Sequence, residues 1–576
     1  FTTQLPYIQA RGDYALTQLP SQVPFAITTN SGSNFSVDTT GVTLAGTGWI
    51  NVRSLRWAEQ NQPLTVTWTS DSAWEVNIPL EPGANLITLQ AFDFQGNPLT
   101  SDSITVTSTV AQRPLRQYLR VTELMYAPLG ESDYEFIEFC NTGPETLDLT
   151  NLYFSSGITF AFAGSGITSL APGQYLVLAK NPAAFAARYN TGGLNLVGPY
   201  DGKFANEGET VRLKGQYDAL VLEFEYRDSR GWPPAADGPG HSLVPLASAI
   251  PQQDLGSLYY GGNWRASTYR NGSPGQADPA APASLLLNEI MAHTDYANPS
   301  YPDYDSNDWI ELYNPTDSAF TLAAGQWYLS DSDTNLTKWP IPAAVIPARG
   351  RLSFDEITGF HHPLTSGFGL DQAGEAVYLS HLPGTAADRV ADCVKFKGQS
   401  ELASWGRFPD GDSYWQALPP SRDLANQPPS DHISLTELMY YPLQLSANEE
   451  YIELYNPTPQ PLSLWDLDLA AGWRLDGGIT YTFGMDTVIP AYGYLLVVGF
   501  TPTPENLAAF QSHYGATAAP IVGPYTGSLS NYTSRVALER PQASDDPANP
   551  TELSWIIVDE MIYSHLSPWP PAASGT

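Results

Sequence analysis

A phrase built on two glutamates recurs three times in this chain: VTELMYAPLGESDYEFIEFCNT at 121–142, LLNEIMAHTDYANPSYPDYDSNDWIELYNPT at 286–316 and LTELMYYPLQLSANEEYIELYNPT at 435–458. The leading glutamates, Glu123, Glu289 and Glu437, stand 166 and 148 residues apart. The repeating unit is therefore the size of a domain and not of a solenoid turn. A chain of 576 residues is in any case too long for one core, and at roughly 100–200 residues per domain it divides into about four. Each copy continues alike, through a loop and a second glutamate strand to a proline turn and a further apolar strand: LAPGQYLVLA, VIPARGRLSF, VIPAYGYLLVV. The first and third copies also share VGPYDG with VGPYTG, and GWPPAADG with PWPPAASG.

Within the phrase the residues alternate. In WIELYN and YIELYN a period of two puts Ile310 and Leu312, or Ile452 and Leu454, on one face, and Glu311 or Glu453 on the other among Trp and Tyr. A carboxylate on so aromatic a face must accept hydrogen bonds or take up a proton. We expect Ile137, Ile310 and Ile452 to be buried equivalents, and Glu138, Glu311 and Glu453 to tie neighbouring loops. The competing reading, a general acid and base made by Glu123 with Glu138 and by its copies, would require three equivalent active sites in one chain. The sequence also contains no G-x-S-x-G or H-E-x-x-H phrase and no phosphate-cradling glycine loop. Asn141, Asn314 and Asn456, at the strand ends, suit a turn.

Composition narrows the class. Lys+Arg number 26 against 60 Asp+Glu, giving a net charge of −34, so the surface field repels nucleic acid and anionic headgroups. Only 15% of residues are charged, while the abundance of Gly, Pro, Thr, Ser, Asn and aromatics suits short strands and many turns on an acidic exported or cell-surface protein. The two cysteines, Cys140 and Cys393, fall in different copies and read as free, packed thiols. No run of 18 apolar residues is present to span a membrane. Phe1 reads as mid-protein and the third copy as stopping inside a domain, which leads us to expect a neighbour, in a homo-oligomer or filament, to complete its open sheet edge.

Along the chain, 1–20 has the spacing of a short helix stopped by Pro20. From 21 to 112 the text becomes strand and turn (WEVNIPL, NLITLQAFD), with turns at Pro82-Gly83-Ala84-Asn85 and Gln95-Gly96-Asn97-Pro98. The copies occupy 113–280, 281–430 and 431–576. The run at 83–97, G-x-N-x-I-x-x-x-A-x-D-x-x-G-N, resembles bacterial immunoglobulin-like modules, and 1–20 resembles the closing helix of secreted CotH-type kinase-like domains. The paired phrases ELMYAP…EFIEFCN, NEIMAH…WIELYNP and ELMYYP…YIELYNP, with SWGRFPDGDSYW at 404–415 and NWRASTYRNGSPGQAD at 263–278, resemble bacterial lamin-tail domains. That resemblance implies an all-β chain of tandem immunoglobulin-like β-sandwiches, accessory modules of exported bacterial proteins without chemistry of their own.

Two acidic loops of the middle copy, PDYDSND at 302–308 and LSDSDTN at 329–335, place oxygen donors at alternate positions. Asp303, Asp305, Asp331 and Asp333 are thus candidate calcium ligands. Neither loop is an EF-hand: the twelfth positions are Asn314 and Pro342, so the closing Glu is missing, and solvated Asx-turns are the competing reading. The pair His361-His362, in GFHHPL, lacks an acidic ligand phrase. The functional expectation is a non-enzymatic structural or adhesive array of a bacterial surface or matrix protein, with other surface proteins or its own copies as partners. The alternative is a set of accessory or glycan-binding modules of a larger secreted CotH-type enzyme, for which 15 Trp and 32 Tyr supply material.

Overall fold

The computed structural model describes residues 10–570 apart from 12–13, 15–18, 61, 111–112, 297–298, 301–305, 362–366, 431, 443–448, 516, 545–548, 550 and 568. The chain is an all-β tandem of immunoglobulin-like sandwiches. In the leading module the strand Ala73–Pro79 shows how the alternation is used: Trp74, Val76 and Ile78 point inward and are buried, while Glu75 and Asn77 face water. Its four-stranded sheet faces a five-stranded one across that core.

The glutamate phrases form three antiparallel pairs: β1 (Leu119–Met125) with β2 (Phe136–Asn141), β3 (Leu286–Met291) with β4 (Trp309–Tyr313), and β5 (Ser434–Met439) with β6 (Tyr451–Tyr455). A bulge falls at the same place in each, at Thr122, Asn288 and Thr436. Beyond it Glu123 stands opposite Glu138, Glu289 opposite Glu311 and Glu437 opposite Glu453. Ile137, Ile310 and Ile452 are fully buried, each in the core of its own unit. The three pairs begin three units, each with a second sheet packed across that core.

The far side of the glutamate sheet is covered as well, which explains its aromatic residues. In the first unit Phe136 packs on Phe185 of the helix Pro182–Arg188, and in the third Tyr451 packs on Phe510 of Pro504–Tyr514. Asn181 caps the first helix by accepting from Ala183 and Ala184, and Thr503 caps the second by accepting from Asn506. These helices form a third layer that the two-layer expectation lacked.

The first and second sheets carry further strands beyond β1 and β3, Leu243–Pro245 and Ser404–Arg407 respectively, whereas β5 is the edge of its sheet among the described residues. The units also pack on one another. A long hairpin of the third unit, β7 (Thr533–Ala543) with β8 (Leu553–Ser564), inserts Ile557 into the core of the second and bridges Ile556 to Gly398. Ala235 of the first unit shares an apolar cluster with Leu336, Tyr378 and Val390 of the second. Tyr260 of the first donates its hydroxyl to Ile562 O in β8 at 3.3 Å. Each of the three units therefore touches the other two. The leading module rests on the first unit where Gly41 lies against the Tyr217 ring; a Cβ on Gly41 would come within 2.4 Å of the Tyr217 Cβ.

Candidate functional site

The bulge does more than shift register. Its residue turns a donor onto the second glutamate in all three units: Thr122 Oγ1 to Glu138 at 2.6 Å, Asn288 Nδ2 to Glu311 at 2.8 Å and Thr436 Oγ1 to Glu453 at 2.8 Å. A backbone N–H from a distant loop adds to it in two of them, Gly275 to Glu138 and Asp423 to Glu311. The expected hydrogen bonds to Glu138, Glu311 and Glu453 are thus all present.

The first glutamate of each of the first two pairs is held by serines. Glu123 accepts from the Ser242 hydroxyl and from Ser273 N at 3.0 Å. Glu289 accepts from Ser404 Oγ at 2.5 Å and from the N–H and hydroxyl of Ser421, both at 2.9 Å. Glu437, on the edge strand, is exposed and accepts from the Tyr451 hydroxyl at 2.7 Å. Burial pushes Glu138 and Glu311 up to about 7 against the pull of their donors, and Glu123 goes further, because Glu138 adds like charge to its burial.

Such carboxylates could trade protons, but the first pair has no room for a substrate. The loop Asn271–Gln276 lies directly over it: a Cβ on Gly272, which sits at φ +73°, would stand 1.9 Å from Glu123 Oε1. The pair is roofed by backbone, and its acceptor positions are taken by structural donors. Asn141, Asn314 and Asn456 act alike in the three units. Each is fully buried, and its amide donates to two or three carbonyls across the turn, among them Glu145 O, Ser318 O and Gln460 O, at 2.7–2.8 Å.

The candidate calcium ligands are not assembled in this way. Asp303 and Asp305 lie outside the described residues. Asp331 pairs with Lys338 at 2.5 Å, and Asp333 faces the first unit beside Gly238. Among the described residues no group of three or more His, Cys, Asp and Glu is placed to hold a metal ion. His361 is tied to Glu356 at 2.6 Å, and His362 lies outside the described residues. Cys140 and Cys393 are free, and burial pushes their thiols up to about 11 and about 12.

Sequence reasoning missed the junction of the three units. Arg230, in the loop after the strand Leu220–Arg227, makes a two-pronged pair with Glu560 of β8 and donates to Lys395 O of the second unit at 2.7 Å. Arg535 of β7 joins Glu560 (2.8 Å), Asp476 (2.9 Å) and Glu539 (3.0 Å), and Lys397 of the second unit also reaches Asp476 and Glu539. Burial alone would raise Glu560, but Arg230 and Arg535 outweigh it and hold the carboxyl below the usual range. The one available signal was the basic phrase VKFKG at 394–398 in so acidic a chain. Its partners lie up to 330 residues from one another in sequence.

The fold is that of a tandem immunoglobulin-like β-sandwich protein, in which a glutamate pair recurs and the first pair is closed over by backbone. Residues 113–228 match the Lamin Tail Domain family. A search of curated proteins gave no match. Among solved structures, the chain is similar to a DUF4876 family protein from Bacteroides thetaiotaomicron, with 12% identity, TM-score 0.18, and 40% of this chain and 93% of that one covered. It is also similar to the surface glycan-binding protein SGBP-B of a Bacteroides ovatus mixed-linkage glucan utilization locus, with 10% identity, TM-score 0.12, and 58% and 68% covered.

Proposed function

We propose that this chain is a non-enzymatic structural array of an exported bacterial protein, in which three lamin-tail-like units at 113–280, 281–430 and 431–576 are clamped into one body behind an immunoglobulin-like module. The observation that carries the reading is the junction: a buried ion network drawn from all three units, with β8 seated in the core of a neighbour. Sandwiches joined by short linkers otherwise move relative to one another. The acidic surface and the resemblance of the repeated phrases support an extracellular location. The contacts of the junction all lie within one chain, so the reading does not require self-association.

The test is solution scattering with ultracentrifugation on the full chain. A monomer with fixed unit positions supports the self-supporting body. A scattering profile that needs freely moving units would overturn the reading, and concentration-dependent association would restore the homo-oligomeric or filamentous alternative.

A further inference from the structure

The junction leaves a cleft of about 720 Å³ between the three units, within the range of about 300–1,000 Å³ typical of ligand sites. Its charge runs against the rest of the molecule. In a chain of net charge −34, the wall carries Arg227, Arg230, Lys395, Lys397 and Arg535 against the carboxylates Glu225 and Asp476. Arg230, Lys397 and Arg535 are engaged with Glu539 and Glu560, but Lys395 is exposed and stands outside that network, its charge felt by Asp237, and the Arg227 side chain is 58% exposed and paired with Glu225 at 2.7 Å. A concave wall on which cations outnumber carboxylates favours anionic ligands over cationic ones, all the more when the surrounding surface repels anions.

The rest of the lining is mixed. Ser229 and Ser528 are exposed hydroxyl residues, and Trp232 and Ile562 add apolar surface. Tyr532, 57% exposed, is stacked on Tyr259 across the first and third units with ring centroids 5.9 Å apart. The Tyr532 ring also meets His565 edge-on at 5.1 Å, and its exposed part, with the cations and hydroxyls, matches a ring that bears both hydroxyls and a carboxylate. We infer that this cleft binds a uronate-bearing oligosaccharide, with Lys395 and Arg227 meeting the carboxylates and Tyr532 a sugar face. This goes beyond the structural role, although it rests on the packed arrangement, since the cleft is made by three units.

The experiment is calorimetric titration of the full chain with a short oligogalacturonate, with its neutral galactose counterpart and with inorganic sulfate, with scattering recorded on the same samples. The oligogalacturonate is expected to bind, to weaken with added salt, and to lose roughly tenfold in affinity for each charge reversed in Lys395→Glu and Arg227→Glu. Both side chains lie outside the network of Arg230 and Arg535, so the packed scattering profile is expected to persist in these variants. Tyr532→Ala is expected to weaken sugar binding and leave the profile unchanged. Equal binding of the neutral oligomer, binding of sulfate alone, or indifference to both reversals would overturn the proposal. No binding with the packed profile intact counts against the ligand and not against the structural body.

Discussion

Glu311 and His241 are both buried, and their titrations act on stability with opposite signs. Burial pushes the Glu311 carboxyl up to about 7, against the bonds from Asn288 and Asp423. The native state therefore holds a proton that the unfolded chain releases above about pH 4.3. That stabilisation is complete below the unfolded value and is lost as pH rises to about 7, by an amount on the order of 3 kcal/mol. In Glu311→Gln, denaturant titrations across pH 4–8 are expected to show this slope reduced. His241 is the reverse. Its Nδ1 lies 2.7 Å from Ser267 O, and its Nε2 accepts from Val390 N of the second unit at 2.9 Å, so burial holds the ring neutral with a pKa of about 4. Stability from this site is complete above the ordinary value of about 6.5 and falls as pH drops toward 4. His241→Gln, which keeps a donor and an acceptor, is expected to flatten that acid limb; an unchanged limb would show that the ring charges freely in the native state.

At the scale of the strand pair, the bulge residue carries the load of organisation. Asn288 is fully buried; it donates to Glu311 and Asp410 and accepts from Gly411 N. Asn288→Ala strands these groups and is expected to cost about 2–3 kcal/mol. Thr436→Ala, at the exposed counterpart in the third unit, is expected to cost less than about 1 kcal/mol. Equal losses in chemical denaturation would show that the two bulges do not differ as their burial implies. Much of this was legible in the sequence. The period of two placed Ile310 and Glu311 on opposite faces, and repetition identified the glutamates as a pair. What covers them was not legible, because Ser273 and Ser421 arrive from 150 and 132 residues beyond their carboxylates. The helix Pro504–Tyr514 also had no clear signal, since its buried side is narrow, with Phe510 alone fully inside.

For the molecule as a whole, the pairing of Arg230 with Glu560 decides whether the three units act as one. Removing Glu560 leaves the Arg230 cation without a carboxylate and is expected to cost about 3–5 kcal/mol, whereas removing Arg230 leaves Glu560 still paired with Arg535 and is expected to cost less. A double-mutant cycle with Arg230→Met and Glu560→Gln, read by melting and by scattering, is expected to show positive coupling. Additive losses would mean that the junction is incidental. This pairing was hidden from the sequence for a physical reason: ion pairs across sandwiches leave no periodic trace in either strand. The 330-residue separation of its partners also sets a delay during synthesis. At about 5–20 residues per second, the Arg230–Gly231 loop of the first unit emerges roughly 15–65 s before the strand that will pack on it. Throughout that interval its unfinished flank is open to the last strand of an adjacent nascent copy, so crowding on one messenger would favour exchanged dimers.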